Sequence, residues 1–156
     1  TQINPDLASS NATILNDDMV FSITEVSIGG EVSTATTDAN NAPVVIEGQS
    51  SVTNVTVTVS RTGDCTSVAS VLWNVAGSGS NTATVGTLST VGTDVVKPTS
   101  TLLYFAAGSA TATFNVAIKG DDVYESLEQF TASITSVGDA RSGVIDQNHA
   151  SAIVSI

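Results

Sequence analysis

Cysteine is nearly absent from this chain. Cys65 stands alone, so no internal disulfide can cross-link the fold, and with His149 as the one imidazole there is no local Cys/His grouping to hold a metal or run catalysis. Both are read as structural. Basic residues number four against fifteen acidic ones, and the resulting net charge of -11 repels a nucleic-acid backbone or an anionic lipid surface. Cations are the better expected partners. Long apolar runs are missing too: "TLLYFAAG" at 101–108 falls far short of the ~18 residues that a membrane span requires. Aromatics amount to 4% of the chain, too few to line a sugar cleft, so Glu125 and Glu128 are not read as a glycosidase pair and no enzymatic activity is expected. "GSGS" at 77–80 lacks the following helix and lysine of a phosphate loop.

What remains is a palette of Thr, Ser, Ala, Val and Asn, the residues of half-buried pleated surfaces. "ATATFNVAIK" at 110–119 places Ala112, Phe114, Val116 and Ile118 on one face and Thr111, Thr113, Asn115 and Lys119 on the other. "SVTNVTVTVSR" repeats the pattern with Val55, Val57 and Val59, "FTASIT" with Phe130, Ala132 and Ile134, and "ASAIVSI" with Ala152, Val154 and Ile156. Further strands are expected in "MVFSITEVSI", "APVVIEG", "SVASVLWNV" and "STLLYFA", the last two more fully buried, with Trp73 in the core. Turn-rich segments separate them, and no window carries a helical stripe. The fold class is therefore all-β: an antiparallel β-sandwich of about 7 to 9 strands without significant helix.

Charge is scarce, yet "GDDVYESLEQF" at 120–130 gathers Asp121, Asp122, Glu125 and Glu128 on the loop between two expected strands. Carboxylates about 4–6 Å apart destabilise one another unless a positive charge sits among them. Lys119 alone cannot neutralise four. A hard dication taking six to eight oxygens can, which favours Ca²⁺ over the smaller, strictly octahedral Mg²⁺, with Asp121 and Glu125 at the centre of the site.

The order of "VIEG" at 45–48, "VTVTVSRTG" at 55–63, "GTD" at 92–94, "AAGSATATFNVAI" at 106–118 and "DDVYESLEQFTASIT" at 121–135 resembles Calx-beta domains, the module of sodium/calcium exchangers and of large bacterial surface proteins. The resemblance implies a seven-stranded, immunoglobulin-like sandwich with calcium at one end. Carried over by position, it implies side-chain ligands from Glu47, Asp94, Asp121, Asp122, Glu125 and Glu128 and a main-chain ligand from Val123. This chain departs from the calcium-regulated members at Gly120, where they carry another aspartate, and stops at Ile156 before their terminal aspartate run. Fewer or weaker ions, or completion of the site by a neighbour, are the expected consequences.

Residues 19–156 are expected to form the sandwich domain. Residues 1–18 read either as the tail of a preceding repeat, since "ATI" at 12–14 lines up with "VSI" at 154–156, or as an arm that donates a strand to a neighbouring copy. Asp17 and Asp18 are candidates for a junction metal, and Asn11 and Asn54 head glycosylation-type sequons. Together with a chain that opens on Thr1, these features lead to an expected extracellular, cell-surface or secreted location. The expected function is a structural or adhesive unit, a tandem repeat or filament subunit rigidified by calcium, with neighbouring copies as partners. The alternative is a calcium-sensing regulatory domain.

Overall fold

Valines spaced by two along the chain set the architecture, because each strand must turn one face from water. The computed structural model describes residues 18–29, 31–32, 42–46, 51–138 and 143–156. Within them the strands are β1 (Met19–Ile28), β2 (Glu31–Val32), β3 (Val52–Thr62), β4 (Ala69–Ser78), β5 (Val85–Gly86), β6 (Val95–Val96), β7 (Leu102–Phe105), β8 (Thr111–Lys119), β9 (Gln129–Val137), β10 (Gly143–Ile145) and β11 (Ser151–Ser155). Seven of these eleven have four residues or more, and the only helical piece among the described residues is a 3₁₀ turn at Gln147–His149. One sheet runs β10-β1-β3-β8-β6-β5 with β2 paired to β1, and the other runs β11-β9-β4-β7. The chain is thus an all-β sandwich, as its alternation requires.

Between the sheets, Val55, Val57 and Val59 of β3 and Phe114, Val116 and Ile118 of β8 meet Val71, Trp73 and Val75 of β4 and Phe130, Ala132 and Ile134 of β9. Each fully buried side chain of this size contributes about 1.5–3 kcal/mol. Two aromatic pairs cross the interface: Trp73 stacks on Phe114 with centroids 4.0 Å apart at 18°, and Phe21 meets Phe105 at 5.3 Å and 60°. Such pairs add to simple burial.

Several expectations need correction. β4 and β7 are not more fully buried than the rest: Tyr104 is 70% exposed and Leu72 37%, so both strands alternate like their neighbours. They form an edge and its partner, with one face in water. "APVVIEG" yields no full strand within its described residues. There Val44 only bridges Ser155, with the Val45 N–H on the Ser155 carbonyl at 2.8 Å and the Ser155 N–H on the Pro43 carbonyl at 2.9 Å. Pairing is also not wholly antiparallel, since β10 runs parallel to β1 and β5 to β6. These parallel contacts are short and lie at the margin of their sheet.

Arg61 follows Val55, Val57 and Val59 in register and therefore turns inward, where it is 1% exposed. No carboxylate pairs with it among the described residues. Its guanidinium instead donates to the carbonyls of Ser67 at 2.7 Å, Cys65 at 2.9 Å, Ala106 at 3.2 Å and Ser109 at 2.6 Å through its terminal nitrogens, and again to Ser109 at 3.2 Å through Nε. It also lies over the Phe105 ring, 5.4 Å from the centroid. One planar fork thereby ties the turn after β3 to the turn after β7. Arg61→Ala removes all five of these hydrogen bonds and the buried side chain between the two turns, and urea unfolding should register a loss of about 3 kcal/mol or more. Arg61→Lys should recover little of it, because an ammonium cannot reproduce the fork.

Candidate metal centre

Asp94 sits at the entrance to β6, 4% exposed, and its main chain is fixed on both sides. Its N–H donates to the Thr84 carbonyl at 3.0 Å, its carbonyl accepts from the Lys119 N–H at 2.8 Å, and its carboxylate Oδ2 accepts from the Thr84 N–H at 2.5 Å. The side chain has no freedom to swing into solvent.

Residues 120–128 link β8 to β9 beside it. Gly120 anchors the start through its N–H on the Ser51 carbonyl at 3.0 Å, and Asp121 Oδ1 caps the Val123 N–H at 2.8 Å. At the far end Glu128 and Ile156 exchange main-chain hydrogen bonds of 3.1 and 2.9 Å. Held in this way, the loop turns Glu125 and Glu128 toward Asp94, and one carboxylate oxygen from each of the three lies within 4.8 Å of the others. A cleft of about 370 Å³ opens beside Glu125 and Glu128, walled by Val45, Ile46, Tyr124, Leu127 and Ile156, and Asp94 does not line it.

Negative charge accumulates without relief. Loss of hydration pushes the Glu125 carboxyl above its ordinary range, and the charges of Asp94 and Asp121 push it further. Glu128 rises for the same first reason, then through a carboxyl–carboxylate hydrogen bond with Asp94 and the charges of Asp94 and Glu125. Lys119 is committed elsewhere, its Nζ donating to the Thr90 carbonyl at 3.1 Å. Among the described residues no cation forms an ion pair with the three acids.

An all-oxygen donor set suits a hard cation. Two oxygens on one calcium ion can be no farther apart than twice the metal–oxygen bond, about 4.6–5.2 Å. Three carboxylate oxygens that all lie within 4.8 Å of one another are compatible with that span. The residues present therefore fit the ion.

The positions expected from the sequence divide into three groups. Asp94, Glu125 and Glu128 converge. Asp121 is half-buried and near enough to act on Glu125, yet it is not one of the converging oxygens, so the centre moves from the expected Asp121–Glu125 pair to Glu125, Glu128 and Asp94. Asp122 and Val123 are exposed beside the cluster, the Val123 N–H being taken by Asp121. Glu47, Asp17 and Asn11 lie outside the described residues. Asp18 is exposed at the opposite end of the sandwich, where Val20 pairs with Thr62, whereas the acids gather where Val52 pairs with Lys119. Asn54 is exposed on β3, its carbonyl accepting from the Gly29 N–H at 3.1 Å. Sequence reading missed Thr84 and Asn81. Thr84 acts through its main chain, and the Asn81 amide touches carbonyls 45 and 46 residues away, so nothing local marks either one.

Comparison with known proteins fits this geometry. No curated protein sequence matches the chain. Among solved structures, the apo-form Calx CBD1 domain superposes with a TM-score of 0.58 at 20% identity, covering 88% of this chain and 95% of that one, which is a likeness of fold. CBD12 from CALX1.2 and the calcium binding domain CBD12 of CALX1.1 each give a TM-score of 0.54 at 25% identity over 72% of this chain. The match spans only 40% and 41% of those longer structures. The sequence profile of the Calx-beta domain matches residues 39–156, which take in Asp94 and the whole of the acidic loop. This chain belongs to the Calx-beta domain family.

Proposed function

We propose that the chain is a calcium-sensing module, with the convergence of Asp94, Glu125 and Glu128 as the observation that carries the reading. When bound, Ca²⁺ supplies positive charge that lets the three carboxylates remain ionised at this spacing. The protein's own part is to hold them. Asp94 is presented rigidly by the Thr84 main chain, while Glu125 and Glu128 ride on a loop with no regular structure. Calcium competes with protons for these oxygens, since both carboxyls hold a proton more tightly than an ordinary glutamate does. Because Glu128 shares main-chain hydrogen bonds with Ile156, a change in the loop reaches the end of β11 directly. An adjacent domain is the receiver that fits this route, and the two-domain CBD12 structures support it.

An extracellular structural or adhesive unit, stiffened by the same ion, would use the same carboxylates. Its support is compositional: low charge and a Ser/Thr/Asn-rich chain. A sensor changes shape with calcium and a stiffened spacer does not, so small-angle scattering with and without the ion separates the two.

Calcium should raise the melting temperature. An ion that binds only the folded state stabilises by RT ln(1 + [L]/Kd), about 2.7 kcal/mol at a hundredfold excess over Kd. Glu125→Gln or Glu128→Gln should remove most of that gain while the sandwich stays folded. Asp64→Asn, at the other end of the molecule, should keep it. An unchanged melting midpoint in millimolar calcium, with no heat of binding, would rule out the ion.

The pH dependence follows from the raised carboxyls. The folded metal-free protein binds protons at Glu125 and Glu128 more tightly than the unfolded chain does, so their contribution to stability is fully present below the ordinary Glu value of 4.5 and is lost as pH rises through the raised folded values. Melting in chelator should therefore show a decline as pH rises above the ordinary Glu value of 4.5, less steep in the double Glu→Gln variant. With calcium the sign reverses. The ion competes with those protons, and its stabilisation should grow over the same window.

A further inference from the structure

Residues 124–127 belong to no strand, yet they must place Glu125 between Asp121 and Asp94. Their hydrogen bonds are few. Among the described residues the ones that hold this segment come from one side chain: Asn81 Nδ2 donates to the Ser126 carbonyl at 3.2 Å and to the Leu127 carbonyl at 2.9 Å. These carbonyls lie between the two glutamates in sequence, so the amide grips the chain at the point that sets the spacing of the two carboxylates.

Asn81 is itself fixed in place. Its carbonyl accepts from the Gln129 N–H at 3.0 Å, Thr82 bridges Gln129, and the Ala83 N–H returns to the Gln129 carbonyl at 3.0 Å. One residue further, Thr84 holds Asp94 through both its N–H and its carbonyl. The four residues 81–84 therefore touch both halves of the acidic centre. The preceding "GSGS", which is no phosphate loop, has a use here. A Cβ on Gly77 would lie 2.3 Å from the Ala83 carbonyl oxygen, and one on Gly79, at φ +78°, would lie 2.4 Å from Gln129 Oε1. The two glycines let the segment fold down against the start of β9.

We propose that Asn81 is a positioning residue that sets Glu125 and Glu128 against Asp94, with residues 81–84 as the frame between them. Asn81 does not ligate; it acts through the loop carbonyls. Only the affinity part of its test rests on the calcium reading above.

Asn81→Ala removes both donors from an exposed side chain without disturbing the core. Calcium titration calorimetry should show binding weakened about tenfold, the usual scale for losing an outer-shell partner. Backbone order parameters from ¹⁵N relaxation in chelator should fall across 124–127 while those of 52–59 hold. Asn81→Asp, which keeps the shape and loses the donors, should lower the same loop values, and Asn74→Ala on exposed β4 surface should change neither readout. Parental calcium affinity in Asn81→Ala overturns the proposal, and so do unchanged order parameters across 124–127. If the parent protein takes up no calcium, the sensing function falls and the relaxation measurement alone decides for Asn81.

Discussion

Three carboxylates within 4.8 Å of one another repel, and main-chain hydrogen bonds fix the backbone at two of them. Thr84 secures Asp94, Ile156 secures Glu128, and Ser51 fixes the start of the intervening loop through Gly120. Shifting either of those two backbones would disturb the strands that carry the core. Glu125 is exposed on the loop between them and depends on the hold that the Asn81 amide has on the neighbouring carbonyls.

The two ends of the sandwich handle charge in opposite ways. At one end Arg61 is a buried cation without a carboxylate, satisfied by four carbonyls from two turns. Its partners are part of the covalent chain, so it acts as a permanent tie. At the other end the acids lack a cation, and the nearby Lys119 is spent on Thr90. One end is complete in itself. The other gathers acids whose oxygens fit a calcium ion.

Family membership and geometry agree on the end of the molecule that matters, although the two draw on different information. The profile match reflects the order of short motifs along residues 39–156. Convergence of the carboxylates depends on the pairing of β8 with β6 and of β9 with β11, contacts between segments far apart in sequence. Asp94 shows why both are needed. In the sequence only its place in "GTD" at 92–94 singles it out, and the bonds with Thr84 and from the Lys119 N–H hold it where it meets the glutamates.

Much of the fold was legible because strand alternation is a local property: Val55, Val57, Val59, Phe114, Val116 and Ile118 face inward as the period of two demands. The acidic loop was legible for a similar reason, since its charges are neighbours in sequence. Burial of β4 and β7 was misread because an apolar run does not reveal that one strand will lie at a sheet edge. The inward turn of Arg61 was written in its register with the valines, but the four carbonyls that make it tolerable come from turns the sequence does not bring together. By itself, then, the sequence determined the all-β class, the core faces and the acidic end. Tertiary structure alone decided which acids meet, that Asn81 reaches their loop, and that Arg61 closes the opposite end, because each depends on distances between segments that only sheet pairing establishes.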